Sequence, residues 1–264
     1  MSKTKLGPIS KRWVIKLGTG ILSDPRGQVD VAQIKQIAAQ VVELRRLGHE
    51  VLLVSSGAVG CGMSLLGLKK RPTVMAELQA CASLGQPRLM RLYDEAFDQA
   101  GVRVAQVLLT YLELDSRSLY RNVQRSVEHL LQHKGVVPIF NENDVVSYDE
   151  LIGAKFGDND QLSAHVAVLA RAERLIILSN IRGLATNSDG TGRLIRDVHG
   201  IDAKIQKLAG GTQSQTSVGG MISKLKAARL VNDAGIPMQI AHGRQKNVLV
   251  SICQGEQIGT IFHP

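Results

Sequence analysis

A chain of 264 residues with 44% hydrophobic and 21% charged residues is long enough to bury a sizeable core, and one large α/β domain is the first expectation, with two domains possible. A formal charge of +9, from 32 Lys and Arg against 23 Asp and Glu, suits nucleic acid or any small anion, but aromatic residues at 3% leave no base-stacking surface interleaved with the basic groups. No stretch approaches the roughly 18 uninterrupted apolar residues of a membrane span, and the polar, basic start MSKTKLGPISKR lacks the apolar segment of a secretory leader, so a cytoplasmic location is expected.

Apolar runs of strand length alternate with helical patterns from the outset. A strand Trp13 to Leu17 is followed by a helix-period segment Val31 to Leu47 closed by Gly48, and then a strand Val51 to Val54. After a Gly-rich turn come a helix from about Thr73 to Ala100, a strand Val102 to Leu109, a helix from about Ser116 to Lys134 and a strand Val136 to Phe140. The second half reads as a helix Asp160 to Ala172, a strand Leu175 to Leu178, an irregular polar stretch from Asn180 to Ser217, a helix Gly220 to Ala234, and strands Met238 to Ala241 and Thr260 to Phe262. Repeated βα units need crossovers between parallel neighbours and cover both sheet faces, which predicts an α/β fold: a three-layer α/β/α sandwich on a mostly parallel central sheet. The irregular stretch is longer than ordinary connections and suggests a binding loop or lid. Cys61, Cys81 and Cys253 are odd in number and widely spaced, so neither a disulfide framework nor a metal site is expected.

Four segments carry candidate chemistry. Lys16-Leu17-Gly18-Thr19-Gly20 closes the first strand, where a Gly brings backbone N–H groups close to phosphate oxygens and a Lys adds a point charge; a turn glycine beside a snorkelling lysine is the plainer alternative. Ser55-Ser56-Gly57-Ala58-Val59-Gly60-Cys61-Gly62 follows a strand with small side chains, which admit a ligand to the backbone at a helix start or simply allow tight packing. Its spacing matches neither G-x-G-x-x-G nor the Walker lysine pattern. Asn141-Glu142-Asn143-Asp144, placed after a buried strand, and Gly157-Asp158-Asn159-Asp160 suit a zwitterion, with carboxylates for an ammonium group and amides for a carboxylate, although Asx-rich turns and helix caps are common. Gly219-Gly220-Met221-Ile222-Ser223-Lys224 opens a helix with a lysine in its first turns, a placement that works against the macrodipole unless an anion binds there.

In this order and spacing VIKLGTG, SSGAVGCG, FNENDVV, GDNDQLSA and GGMISK resemble the amino-acid kinase family, most closely its glutamate 5-kinase branch, over essentially the whole chain. The resemblance implies a single kinase domain over residues 1–264, with a lobe at about residues 10–170 binding glutamate and a lobe at about residues 171–264 binding ATP. Many relatives continue into an RNA-binding-type PUA domain, which is not expected here. The implied reaction is ATP-dependent phosphorylation of the side-chain carboxylate of glutamate, the first step towards proline, with Mg²⁺ carried by the nucleotide. Catalytic roles then fall to Lys16, Lys224 and Asp160, and glutamate binding to Ser56, Gly57, Ala58, Asn141, Asp144 and Asn159. The nucleotide would meet Lys16, Gly18, Ser179, Asn180 and the run Val218, Gly219, Gly220, Met221, Ile222, Ser223 and Lys224. The chain departs from the family at Ser179-Asn180 (usually Thr-Asp), Arg182 (Lys), Ala185 (Tyr) and Val218 (Thr), all on the nucleotide side. The expected partners are these small substrates and further copies of the chain, with no nucleic acid and no membrane. The alternatives are a kinase of the same fold acting on another carboxylate or phosphate, and a non-catalytic binding protein.

Overall fold

The computed structural model describes residues 12–24, 28–146, 159–210 and 220–264. Its elements begin with β1 (Arg12–Leu17), a single helical turn α1 (Thr19–Leu22), α2 (Val31–Arg46), β2 (Glu50–Ser55), α3 (Ala58–Leu65) and α4 (Met75–Asp98). They continue with β3 (Arg103–Leu109), α5 (Tyr111–Asp115), α6 (Arg117–Gln132), β4 (Val136–Glu142), α7 (Asn159–Leu169) and β5 (Arg174–Ser179). The last third holds β6 (Asp197–His199), α8 (Ala203–Ala209), α9 (Met221–Asp233), β7 (Met238–His242), α10 (Val248–Cys253) and β8 (Thr260–His263).

The eight strands form one sheet in the order β3-β4-β2-β1-β5-β7-β8-β6. Every pairing is parallel except β7 with β8, which is antiparallel. Successive residues of a strand point to opposite faces, and the three central strands use this period to build two cores. Trp13, Ile15 and Leu17 of β1, with Leu53 of β2 and Ile176 and Leu178 of β5, face a layer containing Ile34, Ile37 and Val41 of α2 and Leu89 and Tyr93 of α4. Val14, with Leu52, Val54, Leu175 and Ile177, faces a layer containing Leu162 and Val166 of α7 and Leu225 and Ala228 of α9. Between β1 and β5 the strand order reverses direction, since β2 lies on one side of β1 and β5 on the other, and the carboxyl ends of strands at such a switch point are where open α/β sheets take ligands.

Two glycines set how closely α3 approaches α4. A Cβ at Gly62 would stand 1.8 Å from the Cys81 carbonyl oxygen, and one at Gly85 would stand 1.8 Å from the Ala58 carbonyl oxygen, so the two backbones meet with no side chain between them. The same contact fixes the segment after β2 against the middle of α4.

The chain from Asn180 to Gly210 is more ordered than its composition predicts. Within it β6 pairs with β8 at the sheet edge, and Asp202 caps α8 by accepting from the Ile205 amide at 2.8 Å; residues 211–217 lie outside the described residues. The strand after α6 is also longer than its apolar run, because β4 pairs with β3 as far as Leu109 with Glu142 and so includes Asn141 and Glu142.

Candidate active site

Because Val14 faces the layer of α7 and α9, the same alternation turns Lys16 to that layer as well. Asp160 occupies the first turn of α7, where the positive end of the helix dipole favours a carboxylate, and Lys224 is the fourth residue of α9. The three meet beside the switch point. Lys16 Nζ lies 2.6 Å from Asp160 Oδ1 and Lys224 Nζ lies 2.8 Å from Asp160 Oδ2, so one carboxylate holds an ammonium on each oxygen. Asp160 is fully buried and the lysines are 6% and 4% exposed. Burial by itself pushes the Asp160 carboxyl up, but the ammonium of Lys16, followed by that of Lys224, outweighs it and holds the group below its ordinary 3.8. Two ammonium groups thus converge on one buried carboxylate, an arrangement suited to receiving the oxygens of an anion. A snorkelling Lys16 is not what the structure has.

The lysine cluster is braced on its helix side. Gln161 donates to the Ser223 carbonyl at 3.0 Å, joining the first turns of α7 and α9, and Ser223 Oγ is buried with no hydrogen-bond partner among the described residues. Gly220 caps α9 in an extended conformation, Met221 is buried and Ile222 is exposed. Val218 and Gly219 lie outside the described residues.

On the β1 and β5 side, Gly18 donates its amide to the Leu178 carbonyl at 3.3 Å, and a Cβ on it would stand 3.4 Å from Lys16 Nζ. The Lys16 ammonium thus lies directly against the Gly18 backbone. Gly20 in turn faces the Asn180 side chain, 3.6 Å from where its Cβ would be. Ser179 is nearly buried and donates to Asn180 Oδ1 at 3.3 Å, while Asn180 itself is exposed at the end of β5. Lys16, Gly18, Ser179 and Asn180 are thereby gathered at the carboxyl ends of two adjacent strands.

The second cluster starts one residue from the first. Asn159, next to Asp160 in the first turn of α7, donates Nδ2 to the Ser55 carbonyl at 3.1 Å, to Ser56 Oγ at 2.9 Å and to Asn141 Oδ1 at 3.2 Å. Ser56 is held by its amide, which donates to the Leu17 carbonyl at 3.1 Å. Gly57 follows with φ at +111°, a left-handed conformation that a side chain would strain, and turns the chain into α3 at Ala58. Ser56, Gly57, Ala58, Asn141 and Asn159 are brought together in this way. Asp144 lies half-buried in the turn after β4, three residues along the chain from Asn141, and Gly157 and Asp158 lie outside the described residues.

Sequence reasoning missed several groups that support these residues. Gln86 of α4 accepts from Asn141 Nδ2 at 2.9 Å, and the fully buried Tyr93 shares a 2.7 Å hydrogen bond with Ser55 Oγ. Neither carries a local signal, since both sit within the amphipathic pattern of a long helix. Gln161 had one, in directly following Asp160.

Residues 11–242 match the model of the amino acid kinase family. A glutamate 5-kinase of Dehalococcoides mccartyi is 44% identical over 262 residues, covering 98% of this chain and 70% of that protein. One from Clostridium perfringens is 41% identical over 259 residues, covering 96% and 95%, and one from Rippkaea orientalis is 46% identical over 259 residues, covering 95% and 68%. The crystal structure of UMP kinase from Bacillus anthracis superposes with a TM-score of 0.61 at 16% identity, covering 96% of both chains, a likeness of fold. With its mostly parallel sheet, its β1–β5 switch point, two lysines on one buried aspartate and a family match over residues 11–242, the chain belongs to the amino acid kinase family.

Proposed function

We propose that this protein transfers the γ-phosphoryl group of ATP to the side-chain carboxylate of glutamate, giving glutamyl 5-phosphate and ADP, the first step towards proline. The observation that carries the reading is the pair of ammonium groups, Lys16 and Lys224, held on the two oxygens of Asp160 at the point where the strand order reverses. Relatives at 41–46% identity that are glutamate 5-kinases support the choice of substrate.

A carboxylate is already a nucleophile at neutral pH and needs no general base. One of its oxygens attacks the γ-phosphorus while the bond to the bridging oxygen of ADP breaks, and negative charge spreads over the transferred phosphoryl oxygens and the leaving group. The task left to the protein is alignment and charge stabilisation. Lys16 and Lys224 bind the phosphoryl oxygens, and Asp160 fixes the spacing of their ammonium groups so that neither must reorganise during transfer. The Gly18 backbone admits the phosphates beside Lys16. Mg²⁺ would be carried by the nucleotide and would add positive charge to the phosphates, while Asp160 keeps its two ammonium groups.

Glutamate lies in the cluster next to it. Ser56, the backbone of Gly57 and Ala58, Asn141 and Asn159 orient its carboxylates, and Asp144 pairs with its ammonium group. The lobe at about residues 10–170 supplies these groups, and the lobe at about residues 171–264 supplies Ser179, Asn180 and Val218 through Lys224 for the nucleotide. Other copies of the chain are its expected assembly partners, and nucleic acid has no role in the reaction.

Trapping with hydroxylamine tests the reading. Protein supplied with ATP, Mg²⁺ and glutamate forms glutamyl hydroxamate, and ADP release with aspartate, N-acetylglutamate, carbamate or UMP in place of glutamate stays low. Absence of product with glutamate, together with turnover of another acceptor, would overturn the substrate assignment.

A further inference from the structure

The side-chain amides at the second cluster form a chain whose polarity is set by two backbone groups, the Glu142 amide at Asn141 and the Ser55 carbonyl at Asn159. The Glu142 amide can only donate, and at 2.9 Å it faces Asn141 Oδ1. This forces Asn141 Nδ2 to the opposite side, where Gln86 presents Oε1 at 2.9 Å. Gln86 then has only Nε2 left, and donates it to Gln106 Oε1 at 2.9 Å on the edge strand β3. In the other direction, Asn141 Oδ1 receives Nδ2 of Asn159, which leaves Asn159 Oδ1 buried with no hydrogen-bond partner among the described residues.

The position of Gln86 is itself constrained. It follows Gly85, whose contact with the Ala58 carbonyl leaves no space for a Cβ, so Gln86 is held at a fixed distance from the start of α3. Pro87 comes next within α4 and has no amide to donate, yet the helix continues through it to Asp98.

We infer that Gln86 is a positioning residue for substrate: by fixing the orientation of Asn141 it holds Asn159 with Oδ1 free to accept from a donor group of the acceptor substrate. The inference rests on the reading that the second cluster binds glutamate. Without the Gln86 acceptor, Asn141 Nδ2 is left unsatisfied. Reversing the Asn141 amide to relieve this would set Nδ2 against two donors, the Glu142 amide and Asn159 Nδ2. Neither orientation satisfies the chain, and Asn159, still directed by the Ser55 carbonyl and Ser56 Oγ, loses the third acceptor that fixes its position.

The test is a double-mutant cycle read in steady-state kinetics. Gln86→Leu is expected to raise the glutamate KM about tenfold, the scale of one lost hydrogen bond with its partner left unpaired, while kcat and the ATP KM stay within about twofold. In an Asn141→Ala background the same Gln86→Leu change is expected to alter the glutamate KM by less than about twofold, because its route to Asn159 is gone. Where Gln86→Leu does not fold, Gln106→Leu at the exposed end of the chain serves instead, with an expected rise of about threefold that Asn141→Ala likewise abolishes. Equal KM rises in both backgrounds, an equal fall in kcat, or no rise at all would overturn the positioning role while leaving glutamate as substrate. Wild-type protein that phosphorylates a different acid but not glutamate overturns the substrate reading, and the cycle repeated with that acid then decides the role of Gln86.

Discussion

Replacing Asp160 by Asn removes the negative charge that Lys16 and Lys224 share and keeps the size of the side chain. In the wild-type protein the two ammonium groups sit on the two oxygens of one carboxylate at 2.6 and 2.8 Å. With the charge gone, two unit charges about 6 Å apart in a medium of effective dielectric constant about 20 repel by ~3 kcal/mol. Removing one partner of a buried ion pair destabilises by about 3–5 kcal/mol. Asp160→Asn should therefore lower the unfolding free energy by about 3–5 kcal/mol in urea titration. Displaced ammonium groups no longer match the phosphoryl oxygens, and a loss of about 3–4 kcal/mol in the transition state lowers kcat by roughly 10²–10³-fold. The double variant Asp160→Asn/Lys224→Met removes the repulsion between the two ammonium groups, and should regain most of the lost stability without regaining turnover. A stability change under about 0.5 kcal/mol, or a kcat within about threefold of wild type, would refute the reasoning.

Three further outcomes are expected. Asp144→Ala should raise the glutamate KM by roughly 10–100-fold, the scale of a lost charge-assisted hydrogen bond, with kcat little changed; an unaltered KM would remove Asp144 as partner of the ammonium group. Gly85→Ala forces a methyl to within 1.8 Å of the Ala58 carbonyl oxygen, and should destabilise by about 2–3 kcal/mol in urea and weaken glutamate binding as α3 shifts; an unchanged midpoint would show that the helices part freely. Stability should also fall with pH in two separate ranges. Burial lowers the His165 pKa below its ordinary 6.5, so its neutral form stabilises the fold at pH 7 and that contribution is lost as pH falls below 6.5, a slope that His165→Gln should remove. Asp160 is held below 3.8, so its contribution persists above the ordinary carboxylate range and is lost only as pH falls beneath 3.8. A His165→Gln profile identical to wild type between pH 7 and 5 would contradict the first part.

Much of the fold was legible because the strands are short apolar runs with helices of regular period between them. β1, β2, β5 and β7 appear within one residue of the bounds their composition predicts at either end. Where the reading fell short, pairing decided what composition did not. Asn141 and Glu142 are polar and read as lying beyond their strand, yet the ladder with β3 carries them into β4 and buries them. β6 is three residues long and exists through its pairing with β8 from the far end of the chain, which no local window contains. In the site, the residues at strand ends and helix starts were legible, since Lys16, Ser56, Asn159, Asp160 and Lys224 stand beside glycines or small residues. Gln86 was not, because its place beside the cluster depends on the approach of α4 to α3 and on an amide contact 55 residues away in sequence.

The account rests on the carboxylate oxygen of glutamate itself attacking phosphorus, with two lysines and no general base. Glutamate labelled with ¹⁸O in its side-chain carboxylate tests this directly. When the product is trapped by hydroxylamine, attack falls on the acyl carbon and phosphate leaves with the oxygen that bridged carbon and phosphorus. The account predicts one ¹⁸O atom in each inorganic phosphate released, seen as an upfield shift in ³¹P spectra, and phosphate released without the label would contradict it.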